Sequence, residues 1–314
     1  MKKRSILFIR NEPILFNLGD LLSCPLYYFD FYSENKESFR GKYFDKADTV
    51  ILGGGAYTDF GRPLNIPYDK SIAWGIGSSI RGKDSFPPKA VNLPYKLYGI
   101  RDPESAMNDG DVLPCVSCMH SFVLMRPEKE MSIFLNKDSD IIAAGKYAGN
   151  SFRGDHVYSN ALNELAFMKV FGKSGYIITN SYHVAYWSFL SGRKVALLGY
   201  SSKLRSLCRL LELNPDIVNY YDTKSDVAEI NKLIEKIIKN KEFNELKNFQ
   251  DARHSCIEKN IKFAKLCVEE GLLSGYKIRK ITLIDMLRRN IKAGFKIYDK
   301  RIRSRLIRQR FIKR

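Results

Sequence analysis

The sequence has no hydrophobic run long enough for an ordinary membrane-spanning helix. Its longest stretch without a charged residue is Ser174–Gly192, and several polar side chains make that stretch a poor membrane span. Near the start of the chain, the apolar run Ile6–Ile9 is ended by Arg10, so it is too short for the hydrophobic segment of a signal peptide. We therefore expect a cytoplasmic protein.

Cysteine, glycine and proline are also sparse, with 6, 21 and 11 residues among 314. These counts exclude disulfide scaffolds and collagen-like chains, because they have neither the required density nor a period. Cys115 and Cys118 form a C-x-x-C pair without a second pair, so we expect reduced thiols rather than a zinc ribbon. Hydrophobic residues make up 45% and charged residues 27%, which excludes wholesale disorder.

Two signatures of nucleotide-binding proteins are missing. No G-x-G-x-x-G follows a predicted strand, and no Walker loop with Gly-Lys-Ser/Thr is present. These absences argue against a dinucleotide cofactor and against a P-loop nucleotide hydrolase. No spacing typical of metal ligands is visible, so the sequence predicts neither a resident cofactor nor a metal ion.

Short apolar runs that end in glycine-rich or charged loops are typical of parallel strands with ligands at their carboxyl ends. A proline-bearing stretch, 112–127, separates two series of such runs. We predict the α/β class, with two Rossmann-like parallel-sheet domains, residues 1–125 and 126–274, that face a central cleft. The predicted strands are Ser5–Ile9, Asp48–Leu52, Ser71–Trp74, Lys96–Ile100, Asp140–Ala144, Tyr176–Thr179 and Lys194–Leu198, and the predicted helices are Ser159–Phe171, Tyr182–Leu190 and Val227–Ile238.

The positive charge is concentrated at the C-terminal end. The net charge is +18, and residues 275–314 hold 15 Lys and Arg against 2 Asp, a local charge of +13. We predict a basic helical tail here, because apolar residues recur at helical spacing. It either packs on the body or lies on an anionic membrane surface, where each basic side chain contributes about 1 kcal/mol; specific nucleic-acid binding is not expected. The apolar stripe comprises Ile284, Leu287, Ile291, Phe295, Tyr298, Ile302 and Leu306.

The loops after the predicted strands contain residues suited to binding an anion. Gly53–Gly55 and Gly75–Gly77 would expose backbone N–H groups without side-chain obstruction. Arg101 follows the fourth strand, and its guanidinium would bind a carboxylate or phosphate at two points. Plain turns and a surface ion pair are the alternatives at these positions. The candidate binding residues are Gly53, Gly54, Gly55, Gly75, Gly77, Ser78, Ser79, Arg81, Arg101, Asp102, Ser181, Tyr182, Ser201, Ser202 and Lys203.

Three residues are candidates for proton transfer. His183 lies at the start of a predicted helix, and imidazole accepts and returns protons near pH 7. Asp20 follows the first strand, and Asp59 follows the triple glycine; either carboxyl group could act as an acid or a base. The alternatives are a buried histidine that is hydrogen-bonded to the backbone and aspartates that only cap turns or helices.

Taken in order, these segments resemble the polysaccharide pyruvyl transferase family. The resemblance runs from the first predicted strand to Leu198 and rests on order and spacing rather than on one motif. It implies a two-domain, GT-B-like fold and transfer of the enolpyruvyl group of phosphoenolpyruvate to sugar hydroxyls, often as a cyclic ketal. The segments are Asn17–Asp20, Gly53–Gly55, Trp74–Ser78, Arg101–Asp102 with Ser105, Asn180–His183 and Gly192–Val195.

The resemblance also implies roles for individual residues. His183 corresponds to the family's histidine, and Arg101 with Asp102 corresponds to its Arg-Asp pair. Several members carry a donor-contacting Arg where this chain has Ser181, so a glycosyltransferase of the same fold is the alternative. It would bind a nucleotide sugar near residues 201–205, with His183 or Asp20 as the base. Either enzyme would take a glycan or lipid-linked saccharide acceptor, peripherally at the inner face of the cytoplasmic membrane.

Overall fold

The protein is an α/β structure with two five-stranded parallel sheets. The computed structural model describes residues 5–10, 17–38, 47–57, 60, 66–82, 84–136, 157–160, 162–222, 227–289 and 291. The strands are β1 Ser5–Arg10, β2 Phe29–Asp30, β3 Glu34–Ser38, β4 Thr49–Gly53, β5 Ser71–Ile76, β6 Leu97–Ile100, β7 Glu130–Leu135, β8 Val157–Ser159, β9 Ser174–Thr179, β10 Lys194–Gly199, β11 Val218–Tyr220 and β12 Lys277–Ile278. The first sheet has the order β3-β1-β4-β5-β6 and the second β11-β10-β9-β7-β8, with all neighbours parallel.

Helices pack against both sheets. The most deeply buried is α3, in which every residue from Tyr182 to Leu190 is buried. Its apolar residues run around the whole helix, which is the pattern expected of a helix enclosed by protein on all sides. The helices are α1 Leu18–Leu22, α2 Glu164–Lys173, α3 Tyr182–Leu190, α4 Lys203–Leu210, α5 Val227–Asn240, α6 Phe249–Glu269 and α7 at 283–289.

The predicted α/β class with parallel strands is confirmed, and two of the predicted segments need comment. The helix predicted over Ser159–Phe171 begins only at Glu164, because Asn163 caps it by accepting a hydrogen bond from the Ala166 N–H. The strand predicted at Asp140–Ala144 lies outside the described residues. The described strand in this part of the chain is β7, ten residues earlier, and it was not predicted.

Helix α6 joins the core of the first sheet to that of the second. The indole N–H of Trp74 in β5 donates a 2.8 Å hydrogen bond to the side chain of Asn260, which is fully buried. Phe263 and Cys267 pack in the core of the first sheet, whereas Cys256 packs in that of the second. One helix therefore contributes to both cores, and the predicted domains 1–125 and 126–274 stay a prediction.

The basic segment begins with contacts to the body. Strand β12 pairs antiparallel with β2, and Met286 and Arg289 of α7 are buried. Arg289 donates two hydrogen bonds, of 2.8 and 2.6 Å, to the buried carboxylate of Glu164. Burial acts to raise the pKa of Glu164, but the hydrogen bonds from Arg289 and His120 hold it below its usual value. This buried ion pair anchors the start of the tail.

The described part of the tail's apolar stripe is exposed. Ile284 is 60% exposed, Leu287 42% and Ile291 58%. The docked face of α7 is instead formed by Met286 and Arg289. Residues 292–314, which contain the rest of the predicted stripe, lie outside the described residues. The first three members of the stripe are therefore mostly exposed, and whether the stripe packs on the body or binds a membrane stays a prediction.

Candidate functional site

The Arg101–Asp102 pair is positioned by the two loops that follow β5 and β6. Gly75 adopts a positive φ of 59° at a bulge in β5 and lies against the backbone of residues 113–115. Gly77 needs the absence of a side chain, because the volume of a Cβ there is occupied by Arg101 and Asp102. The Ser78 N–H donates to Asp102, so the loop holds this carboxyl group in place.

Arg101 is 1% exposed, yet part of its guanidinium has no partner. Within the described residues, its Nε and Nη1 atoms are buried without a hydrogen bond, and the carboxylate oxygen Asp102 Oδ1 lies 4.0 Å from Nε. The guanidinium stacks 3.9 Å from the ring centre of Tyr182, whose buried hydroxyl also has no partner in the described part of the chain. Buried donors without acceptors destabilise a protein, which makes this arrangement typical of a binding site.

Asp102 is fully buried beside Arg101. Burial raises the pKa of Asp102 to about 6, although the charge of Arg101 and the Ser78 N–H both act to lower it. A carboxyl group with this pKa holds a proton in a useful fraction of molecules near neutral pH. It can therefore donate a proton as well as accept one.

His183 lies in the first turn of α3, with its imidazole between Cys115 and Gly19. Its Nε2 is 3.6 Å from Cys115 Sγ, and the ring fills the space that a Cβ of Gly19 would occupy. Burial, followed by the charges of Arg101 and Lys203, lowers the pKa of His183 well below its usual value. The imidazole is therefore neutral at pH 7 and suited to act as a base.

Lys203 is the second buried cation of the site, at the start of α4 after β10. In the described part of the chain, its ammonium donates one hydrogen bond, over 2.8 Å to the Tyr200 hydroxyl, and has no carboxylate within 4.0 Å. It lies near enough to His183 to lower the pKa of that imidazole. A buried ammonium without a counterion favours the binding of an anion.

A polar layer supports Lys203 and was missed by sequence reasoning. One amide or phenol directly follows each strand of the second sheet, and the side chains bond to one another. Asn136 donates to the Tyr200 hydroxyl over 3.0 Å, and Asn180 donates to the Tyr221 hydroxyl over 3.0 Å. A polar residue directly after each strand of the second sheet was the sequence signal from which this layer could have been predicted. The layer comprises Asn136, Asn160, Asn180, Tyr200 and Tyr221.

The loops after β5 and β10 are joined directly. Ser79 Oγ donates to Ser201 Oγ over 3.1 Å, and the Ile80 N–H donates to Ser202 Oγ over 3.1 Å. The Ser202 N–H in turn donates to the Ile80 carbonyl over 2.9 Å. Ser79, Ser201 and Ser202 therefore connect the carboxyl ends of the two sheets, and their hydroxyls take part in that contact.

The backbone amides of the glycine turns form hydrogen bonds to other parts of the protein. The Gly77 N–H donates to the Gly55 carbonyl over 3.2 Å, and the Gly54 N–H donates to the Trp74 carbonyl over 3.4 Å. With the Ser78 N–H on Asp102, these three amides are already bonded within the protein. The neighbouring strand ends and the carboxylate therefore occupy these three amides, and anion binding by the other glycine amides stays a prediction.

Substitution of Gly54 tests this structural role. Gly54 has a φ of 59°, and the side chain of Ser23 fills the volume of a Cβ there. We expect Gly54→Ala to lower the free energy of unfolding by about 2–3 kcal/mol, from left-handed strain plus overlap. Gly271→Ala is the matched control, since Gly271 has a φ of 68° and a Cβ there would meet no atom of the described residues within 4 Å. Urea unfolding that gives equal losses for the two variants would contradict the overlap with Ser23.

The remaining predicted residues have mixed outcomes. Asp20 is buried in α1, and its charge acts on Cys115, which places it near the imidazole of His183. Ser181 is buried at the start of α3, and its N–H donates to Thr179 Oγ1 over 3.0 Å. Arg81 is exposed and lies outside the buried cluster. Asp59 lies outside the described residues.

No family model matches the chain, and no curated protein matches it either. The site therefore stands on its geometry. Within the described residues, no group of three His, Cys, Asp or Glu side chains is arranged to hold a metal ion. No helix in the same part of the chain has the length and apolar character needed to cross a bilayer.

Proposed function

We propose that the protein transfers a pyruvyl group from phosphoenolpyruvate to sugar hydroxyls of a cell-surface polysaccharide or its lipid-linked precursor. The observation that carries this proposal is the pair of buried cations, Arg101 and Lys203, near the neutral imidazole of His183. Phosphoenolpyruvate carries a phosphate and a carboxylate on a small body. It would supply an acceptor to Arg101 and a counterion to Lys203 at once.

The proposed architecture is two Rossmann-like domains that face a cleft, as in GT-B enzymes. It is supported by where the site residues lie, because they follow strands of both sheets. Arg101 follows β6 of the first sheet, whereas His183 and Lys203 follow β9 and β10 of the second. Ligands of parallel sheets bind beyond the carboxyl ends of the strands, and here both ends meet.

The proposed reaction balances protons between two groups. The carboxylic acid of Asp102 gives its proton to the methylene carbon of the donor, which leaves an oxocarbenium-like carbon. A sugar hydroxyl forms a C–O bond to that carbon and gives its proton to His183. The imidazolium returns this proton to the departing phosphate as the C–O bond to phosphate breaks. A second hydroxyl closes the ketal and gives its proton to the Asp102 carboxylate, which restores the enzyme.

The proposal is tested by incubating the purified protein with phosphoenolpyruvate and lipid-linked bacterial glycans. We expect phosphate release that depends on the acceptor, together with a glycan that gains a ketal by mass spectrometry. Protein without acceptor is the control for simple hydrolysis of the donor. No phosphate release across a broad panel of acceptors would contradict pyruvyl transfer.

The alternative activity is glycosyl transfer from a nucleotide sugar. It is favoured by Lys203 at the start of α4, because an ammonium beside a helix N-terminus suits a diphosphate. Here His183 would take the proton of the acceptor hydroxyl. A thermal shift with a nucleoside diphosphate, and none with phosphoenolpyruvate, would favour this alternative.

We further propose that the tail binds an anionic membrane surface and holds the enzyme at the inner face of the cytoplasmic membrane. Three members of the stripe, Ile284, Leu287 and Ile291, are exposed on the side of the tail away from the buried Arg289. The segment 275–314 has a charge of +13. Exposed apolar residues beside clustered cations are the features of an interfacial helix.

The double variant Ile284→Glu/Leu287→Glu tests the tail. We expect roughly tenfold weaker binding per substitution to phosphatidylglycerol vesicles, because each apolar contact is replaced by a repelled charge. Stability should hardly change, since both positions are exposed. Leu124→Glu, at a position 65% exposed on the body, is the matched control. Co-sedimentation with the vesicles measures the bound fraction of each variant. Unchanged binding of the double variant would contradict membrane binding by the tail.

A further inference from the structure

The hydroxyl of Tyr200, the residue directly after β10, takes part in two hydrogen bonds. The ammonium of Lys203 lies 2.8 Å from it, and the side-chain nitrogen of Asn136 lies 3.0 Å from it. An ammonium group has donors and no acceptor, so the first bond can run in one direction only. The phenol oxygen therefore accepts from Lys203.

The direction of the second bond is fixed by a backbone carbonyl. The same side-chain nitrogen of Asn136 lies 3.1 Å from the carbonyl oxygen of Asn180. A carbonyl oxygen only accepts, so this atom is the NH2 group of the amide, and its other hydrogen is directed at Tyr200. The amide oxygen of Asn136 accepts from Asn160 over 2.7 Å, which agrees with this orientation. The phenol oxygen therefore accepts from Asn136 as well.

Two accepted bonds leave the O–H of Tyr200 as a donor that needs a further partner. A phenol oxygen has one hydrogen to donate, and neither Lys203 nor Asn136 can receive it. Within the described residues, the hydroxyl donates to no acceptor. The side chain of Tyr200 is half-buried, whereas that of the neighbouring Tyr221 is buried. A molecule that enters from solvent can therefore supply the missing acceptor.

The ammonium of Lys203 has unused donors beside this hydroxyl. It has three N–H groups, of which one is directed at Tyr200, and no carboxylate of the described residues lies within 4.0 Å. Tyr200 and Lys203 thus present several donors and one positive charge without a counterion. Lys203 also lies near enough to His183 to lower the pKa of its imidazole. These donors therefore belong to the same site as the proposed base.

We propose that Tyr200 is a substrate-binding residue whose O–H donates, together with the ammonium of Lys203, to the oxygens of a phosphate group. Separate point donors suit a tetrahedral phosphate, whereas the planar guanidinium of Arg101 fits a carboxylate at two points. The assignment of this phosphate to phosphoenolpyruvate rests on the proposed function. The phosphate site itself does not, because the diphosphate of a nucleotide sugar presents the same kind of oxygen.

The variant Tyr200→Phe removes the hydroxyl and keeps the ring, whose centre lies 4.4 Å from the ammonium of Lys203. We expect the Kd for inorganic phosphate and for phosphoenolpyruvate to rise about tenfold or more, because a hydrogen bond to a charged group is lost. Tyr221→Phe is the matched control, since its hydroxyl belongs to the same layer and bonds to Asn180 rather than to Lys203. Unchanged affinity in Tyr200→Phe, or an equal loss in both variants, would overturn the proposal.

A double-mutant cycle separates donation to phosphate from mere support of Lys203. Tyr200→Phe also removes the acceptor of the ammonium, so the variant could act through Lys203 alone. We therefore expect Tyr200→Phe to weaken phosphate binding again, about fivefold or more, in a Lys203→Met background. NMR titration measures both affinities, since it stays quantitative for weak binding. No further loss in that background would show that the phenol only supports the lysine.

The wild-type protein gives a direct readout of the hydroxyl. With 13C at the Cζ atom of its 18 tyrosines, NMR should show the Tyr200 signal move on addition of inorganic phosphate, while that of Tyr221 stays. The spectra of the two phenylalanine variants identify these signals. If phosphate moved no tyrosine signal, the proposed site would be refuted. Absence of pyruvyl transfer in the wild type refutes the proposed function alone, because phosphate binding still decides the role of Tyr200.

Discussion

Arg101→Met is expected to weaken phosphoenolpyruvate binding roughly 100-fold without lowering the stability of the free protein. A charged hydrogen-bonding group that binds an anion contributes about 1.5–3 kcal/mol, and 1.4 kcal/mol corresponds to tenfold in Kd. Stability should be kept, because Nε and Nη1 of Arg101 have no hydrogen-bond acceptor to lose among the residues that the structure describes. Isothermal titration calorimetry and urea unfolding give the two quantities on the same samples.

Two other arginines are the controls for this result. Arg81→Met removes an exposed charge from the same half of the chain and should change neither quantity. Arg193→Lys should do the opposite of Arg101→Met, because the buried guanidinium of Arg193 donates to three backbone carbonyls and a serine hydroxyl. We expect it to lower the free energy of unfolding by about 2 kcal/mol or more. Unchanged donor affinity in Arg101→Met would eliminate Arg101 as the anion-binding group.

His183→Gln is expected to lower kcat by about 10²–10⁴-fold, with a small effect on KM, because a positioned base contributes that much. His254→Gln is the matched control, since His254 is exposed and pairs with Glu258 on the surface of α6. Measurement of initial rates over a range of phosphoenolpyruvate concentrations separates kcat from KM. Equal rates for His183→Gln and the wild type would rule out His183 as the base.

The pH dependence of kcat/KM follows from the two pKa values. His183 must be neutral to accept a proton, and its lowered pKa places the loss of activity on acidification well below pH 6.5. Asp102 must hold a proton, and its pKa of about 6 makes kcat/KM fall as the pH rises above 6. His183→Gln should remove the acidic limb and leave the alkaline one. An alkaline limb far above pH 6 would contradict the role of Asp102.

Stability should fall on acidification for a related reason. The pKa of His183 is lower in the folded protein than in the unfolded chain, where it is near 6.5. Below that pH the unfolded chain binds a proton that the folded protein does not, so this residue's contribution to the free energy of unfolding decreases. Urea unfolding of the wild type and His183→Gln should show a smaller decrease in the variant.

Several elements were predictable because their sequence signals are local. β1, β4, β5, β6, β9 and β10 are apolar runs bounded by glycine or charge, and each lies where it was expected. β3 was missed because Glu34–Ser38 is a polar segment at the edge of its sheet, without an apolar pattern. β7 was missed although Ile133–Leu135 is apolar and buried, because this run is short and follows the exposed charged segment 128–130.

The sequence alone also placed the candidate side chains at strand ends, and hence near one edge of each parallel sheet. It could not distinguish Arg101 from Arg193, since both are arginines beside apolar strands. Three backbone carbonyls and a serine hydroxyl surround one guanidinium, whereas the other stacks on Tyr182 with unpartnered nitrogens. That difference arises from residues far apart in the chain.

Composition and hydrophobic pattern thus determined the α/β class and the parallel strands, because burial of apolar runs and glycine turns are decided within a few residues. Only the tertiary structure decided which cation lacks a partner, which imidazole nitrogen faces Cys115, and which face of α7 is covered. Each depends on a contact between distant segments, such as Arg289 with Glu164 or His183 with Cys115. Such contacts have no signature in the local order of residues.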